Sequence, residues 1–136
     1  MMDDFKIFKY PLMIKEHHLD TFAHVNNATY LSLLEEARWE FLTERGFDLK
    51  TIQTHQEGPI VLECHIKFLR ELKLRQAIVI ESQVISYDKK IGVMQQNIVD
   101  EHGMVYSQAS LTFGFFDMQA RRLISPSKQW LLAIGG

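Results

Sequence analysis

Cysteine is nearly absent from this chain. Cys64 is the only one, so no intramolecular disulfide can form and a cysteine-rich zinc site within one chain is excluded; a reducing compartment fits best. Proline and glycine are sparse, at 3 and 7 residues, and stand singly, so no linker, repeat or low-complexity tract divides the sequence. No stretch approaches the ~18 uninterrupted apolar residues of a membrane-spanning helix. The opening Met1-Met2-Asp3-Asp4-Phe5-Lys6 carries acid where a secretory signal carries base, and no apolar run follows it. Charge of one sign is lacking too: 15 Lys plus Arg against 17 Asp plus Glu give a net charge of -2, too little to draw the chain onto nucleic acid or an anionic membrane. The expectation is a cytoplasmic protein with no membrane span and no nucleic-acid partner.

What is present is core material. The 136 residues, 46% hydrophobic and 24% charged, suit a single domain over 1–136. From Asn27 to Arg45, the residues Tyr30, Leu31, Leu34, Ala37, Arg38, Phe41 and Leu42 recur at three- and four-residue spacing, while Glu35, Glu36, Glu40 and Glu44 fall elsewhere, which predicts an amphipathic helix about 28 Å long. Asn26 or Asn27 can cap its start, and Gly46 can end it in the left-handed conformation. After a polar stretch from Asp48 to Gly58 the period becomes two, with Ile60, Leu62, Cys64, Ile66 and Phe68 on one side of a half-buried strand. That phase predicts a buried Cys64.

Three further strands are expected, roughly Gln76 to Tyr87, Ile91 to Asp100 and Met104 to Phe116, joined as antiparallel hairpins by short polar turns. In the last of them Val105, Ala109, Leu111, Phe113 and Phe115 share a face that only Ser107 interrupts, and the long helix is the natural cover. An N-terminal strand near Ile7 to Lys15 carries Pro11, which marks an edge or bulge. A short helix is expected from Pro126 to Ile134.

Chemistry concentrates just ahead of the long helix. The run Glu16-His17-His18-Leu19-Asp20 is expected to end the first strand, bringing the Asp20 carboxylate near a helix N-terminus whose free N–H groups point outward. That pairing suits acyl transfer, with amides polarising a carbonyl and a carboxylate activating water or attacking directly. A metal at His17, His18, Asp20 and His24 is disfavoured, since on a strand His17 points away from His18 and Asp20 and no second ligand motif appears. Ser107 and Ser110 lack an elbow motif, and Cys64 reads as a small hydrophobe rather than a nucleophile.

The segment Asp20-Thr21-Phe22-Ala23-His24-Val25-Asn26-Asn27, continued by Ala28-Thr29-Tyr30-Leu31, Glu35-Glu36-Ala37-Arg38 and, more weakly, Phe68-Leu69-Arg70-Glu71-Leu72, resembles the hotdog-fold thioesterases of the 4-hydroxybenzoyl-CoA thioesterase and YbgC-like type. The resemblance implies an α+β hotdog fold, one long central helix wrapped by an antiparallel sheet of about five strands. It implies hydrolysis of an acyl-CoA or acyl-carrier-protein thioester, without a cofactor, in a homodimer or homotetramer. By the same resemblance Asp20 is the catalytic carboxylate, general base or nucleophile, and the Asn27 amide polarises the thioester carbonyl. Two positions depart from the family pattern, His18 where a second acid is frequent and Ala23 where glycine is usual.

His24, Arg70, Lys89 and Lys90 are the substrate-binding candidates, the basic residues for CoA phosphates together with Lys73 and Arg75. His24 is also expected to hydrogen-bond backbone near the helix start rather than to act as acid or base. Glu35, about 12 Å along the helix from Asn27, is assigned with Glu36 to surface or interface contacts, and Arg38 to an ion pair with a strand acid. A non-catalytic acyl-CoA binding module and a hotdog dehydratase or hydratase are the alternative readings.

Overall fold

In a computed structural model, which describes residues 4–136, the elements follow the order β1 (Phe8–Met13), α1 (Asn27–Glu44), α2 (Leu49–His55), β2 (Glu57–Phe68), β3 (Ala77–Asp88), β4 (Ile91–Val99), β5 (Val105–Asp117), β6 (Arg122–Ile124) and α3 (Lys128–Ala133). The acidic opening up to Asp3 lies outside the described residues. The sheet is antiparallel in the order β1-β3-β4-β5-β2, with β6 on β5, and α1 packs on its inner face as the hotdog arrangement requires. Pro11 sits in β1 at the sheet's edge, where its missing N–H removes no ladder bond on the open side.

The signals for α1 work as expected. Tyr30, Leu33, Leu34, Ala37, Phe41 and Leu42 are its buried residues. Asn26 is the cap, its side chain accepting from the Ala28 amide at 2.8 Å. Gly46 follows the helix with a φ of +95° and open space around an added Cβ, so glycine is there for its conformation, not for room.

Four local expectations need correction. The polar stretch from Asp48 contains α2, capped by Asp48, whose Oδ1 accepts from Thr51 N at 2.8 Å. Only Ile52 of α2 is buried, and one anchor leaves no amphipathic stripe to read; a Cβ on Gly58 would lie 2.7 Å from the Ile52 side chain, so that glycine lets α2 settle onto β2. β6 is three residues long and gives no alternation. A bulge between Val61 and Glu63 shifts the phase of β2: Val61 pairs with Phe113 and Cys64 with Leu111, so Val61 rather than Leu62 shares the inward side with Cys64. Cys64 is nevertheless exposed, because β2 is the other edge of the sheet and nothing among the described residues covers it.

The core divides into two clusters along α1. Beneath its first half lie mainly aliphatic side chains, Ile14, Leu34, Ile78, Ile80 and Ile98 among them. Beneath its second half lie Phe5, Phe41, Tyr87, Phe113, Phe115 and Trp130. Gln96, fully buried, sits between them. Its Nε2 donates to Leu34 O at 3.0 Å and to Ser82 Oγ at 2.9 Å, and its Oε1 accepts from Arg38 Nη1 at 2.8 Å. Arg38 thus meets a neutral amide and not the expected strand acid, and burial holds its guanidinium below the usual arginine range.

Candidate active site

Glu16–His18 form one turn of 3-10 helix, not a strand end. The expected alternation therefore fails, and the rings of His17 and His18 lie 4.0 Å apart. His18 Nδ1 accepts from the Lys15 amide at 2.9 Å, which requires the tautomer protonated on Nε2. Burial is the main influence that lowers the His18 pKa, reinforced by the charges of His17 and Lys15 and opposed by Glu36. The side chain that replaces an acid of the family pattern is thus a neutral clasp on the turn.

From Leu19 the chain folds back on itself through a bridge to Val25. Asp20 N donates to His24 O at 2.9 Å and Ala23 N to Asp20 O at 3.0 Å. The Asp20 carboxylate holds the same turn: its Oδ1 accepts from Phe22 N at 2.9 Å and His24 N at 3.1 Å. Its Oδ2 has no hydrogen-bond partner among the described residues and faces open surroundings. Ala23 has a φ of 61°, the left-handed conformation that makes glycine the usual family choice there.

The same economy singles out one amide of α1. Ala28 N is taken by the Asn26 side chain, and Thr29 N and Tyr30 N donate to Asn26 O at 2.9 and 3.3 Å. Among the described residues Asn27 N–H is the one amide of this first turn left without a partner, at the positive end of the helix. Asp20 lies opposite His24, three residues ahead of it. A free carboxylate oxygen and a free helix amide are the two elements that acyl transfer asks for.

The other candidates separate. His24 Nε2 lies 3.4 Å from Glu71 Oε1, so its side chain reaches the β2–β3 loop and not helix backbone; it ties that loop to the Asp20 turn. Arg70 lines an open hollow with Lys73, Gln76 and Tyr106 at the same end. Arg75 is bonded to Glu16 through Nη2, at 2.7 and 2.9 Å, in an exposed pair. Lys89 and Lys90 follow the far end of β3. Met13 pairs with Ala77 at the near end, so these lysines lie ~36 Å of strand away from the Asp20 turn, and one chain does not bring them together. Glu36 accepts from the Tyr10 hydroxyl at 2.5 Å, and that bond, aided by burial, pushes the Tyr10 pKa up to about 12. No group of three or more metal-ligating side chains converges among the described residues.

Glu35 is not merely on the helix surface. With Arg38 and Trp39 it borders a cavity of about 320 Å³ that opens beside Pro59 and Val61 and runs down to Met94, Leu111, Phe113, Trp130 and Ile134. Its floor is apolar and buried. Sequence reasoning missed this cavity because its walls come from five elements, and no spacing within any one of them marks it.

A family model described as thioesterase-like superfamily matches residues 15–134. Among curated proteins, the long-chain acyl-CoA thioesterase FadM of Escherichia coli (strain K12) is 31% identical over 115 residues, covering 84% of this chain and 86% of that one. Among solved structures, the probable thioesterase YbaW from Escherichia coli superposes with a TM-score of 0.80 at 29% identity, covering 94% of this chain and 98% of its own. The Staphylococcus aureus protein SAV2348, solved in complex with CoA, does so with a TM-score of 0.86 at 19% identity, covering 98% of this chain and 85% of its own, a likeness of fold.

Proposed function

Starting from the fact that this chain belongs to the thioesterase-like superfamily, matched over residues 15–134, and is a thioester hydrolase with relatives such as FadM, we propose that it cleaves acyl-CoA esters of long apolar acids at the Asp20–Asn27 end of α1. Supporting this is one observation above the others: capping leaves the Asn27 amide without a partner among the described residues, three residues after His24, whose own amide is held by one oxygen of an Asp20 carboxylate that keeps the other open. The thioester carbonyl oxygen takes the Asn27 N–H as negative charge develops on it. Asp20 removes a proton from the attacking water, or attacks the carbonyl carbon itself through the same oxygen, in which case loss of the thiolate leaves an acyl–Asp20 anhydride that water then cleaves to release the acid and restore the carboxylate. The C–S bond then breaks and its electron pair leaves with the CoA thiolate. No general acid is needed for so good a leaving group.

A second copy of the chain completes this reading. Edge strand β2 is 12 residues long and exposes Val61 and Phe68 on its inward side at 43% and 44%, an edge that invites pairing. Two such edges related by a two-fold axis pair antiparallel. One subunit's Phe68 end, which touches Tyr30 in the first turns of α1, then lies beside the other's Pro59–Val61 cavity mouth. The acyl chain enters that cavity while Arg70, with Lys89 and Lys90 of the opposite subunit, faces the CoA phosphates. The whole of residues 1–136 acts as one domain, in the cytoplasm; no described helix is long and apolar enough to cross a membrane.

A thiol-release assay over acetyl-, octanoyl-, palmitoyl- and benzoyl-CoA and palmitoyl-carrier protein tests the function. The expected result is fastest release from palmitoyl-CoA by a homodimer or homotetramer. Equal or faster turnover of the aromatic or carrier-protein substrate contradicts the substrate assignment, and a monomer in sedimentation contradicts the assembly.

A further inference from the structure

The walls of the cavity beneath Arg38 come from α1 and strands β2, β4 and β5, except at one place. Trp130 and Ile134 belong to α3 and its C-cap. A helix of 6 residues does not hold itself together, and this one is fixed from outside. The Arg45 guanidinium donates twice to Leu132 O, at 3.1 and 2.8 Å. Trp130 Nε1 donates to the Tyr87 hydroxyl at 3.2 Å, and Lys6 N donates to Gly135 O at 2.9 Å. The indole is stacked on Phe115 at 5.2 Å and met edge-on by Phe47 and Phe113. Trp130 is 1% exposed, while Lys128, Gln129 and Leu132 of the same short helix face solvent. One short helix therefore separates the floor of the cavity from bulk water.

We propose that α3 is the stop that limits acyl-chain length, with the Trp130 indole as the surface the terminal methyl reaches. The inference rests on the cavity being the acyl site, as proposed above, and adds which residue sets the upper limit. Shape is what selects: a chain that ends at the indole buries all its methylenes, and each further one must buckle or displace a ring held by stacking and a hydrogen bond. The closed floor opposes longer chains sterically, and the depth penalises shorter ones by the burial they forgo.

The test is kcat/KM across octanoyl-, dodecanoyl-, palmitoyl-, stearoyl- and behenoyl-CoA. The wild type is expected to rise to one optimum and fall beyond it. Trp130→Ala, checked by circular dichroism for folding, should raise kcat/KM for the first chain beyond that optimum, relative to the optimum itself, by about tenfold. Trp130→Phe keeps an aromatic floor of smaller size and should shift the profile in the same direction by less, which keeps the test decisive if the alanine variant fails to fold. Ile134→Phe should move the optimum toward shorter chains. Unchanged profiles in the folded variants of an active enzyme overturn the role of α3 alone. A wild type inert on the whole series overturns the function proposed above and this inference with it.

Discussion

The two ends of α1 use the same helix and the same sheet for opposite purposes. At its start, the Asn26 side chain and carbonyl take the next three helix amides and one Asp20 oxygen takes the Phe22 and His24 amides, while Asn27 N–H and Asp20 Oδ2 have no partner among the described residues. The core under that half is aliphatic. Under the second half the core is aromatic and holds a cavity of about 320 Å³. The proposed function puts the reacting groups at one end and the room for a ligand at the other, with the Arg38–Gln96–Ser82 bonds marking the boundary.

Substitutions at each end should therefore fail in different ways. Asp20→Asn keeps the acceptor for the Phe22 and His24 amides and removes the charge; kcat should fall by at least about 10² with almost no change in thermal midpoint, measured by thiol release and calorimetry. At the boundary, Gln96→Leu strands the Arg38 guanidinium and the buried Ser82 hydroxyl, and urea unfolding should show a loss of about 2 kcal/mol, with some catalysis retained. Back in the Asp20 turn, Ala23→Gly relieves a positive φ without touching the carboxylate and should stabilise by about 1 kcal/mol. Activity changed more than stability would mean that the turn's strain serves the chemistry.

The smallest effect concerns His18. Its folded pKa is lowered, with burial the main cause, so the unfolded chain takes up a proton first as pH falls. Stability should be full above the ordinary imidazole value of 6.5 and decline as pH drops below it. His18→Gln keeps an acceptor for the Lys15 amide and should flatten the part of that decline due to this residue, read as thermal midpoint against pH. An unchanged slope would mean that other groups carry it.

Local rules predicted α1 with both its ends, the edge position of Pro11 and the four long antiparallel strands, because each rests on spacing or on a residue with one strong conformational preference. α2 escaped because only Ile52 anchors it, and the phase of β2 was misread because a bulge is invisible to strict alternation. In the candidate site, the place of Asp20 just ahead of a helix that starts at Asn27 was legible from the motif. The spending of Oδ1 on the turn, the pairing of His24 with Glu71 and the cavity floor at Trp130 were not. Each depends on which distant side chain folding brings up, and no spacing along the chain encodes that.

A crystal structure with a ketone analogue of palmitoyl-CoA, in which a methylene separates the carbonyl from sulfur so that no C–S cleavage can occur, tests the division of labour most directly. The account predicts the carbonyl oxygen within about 3 Å of an Asn27 amide nitrogen, Asp20 Oδ2 facing the carbonyl carbon, and the alkyl tail in an apolar cavity that ends at Trp130. A carbonyl bound away from the start of α1, or a tail lying outside the cavity, would contradict it.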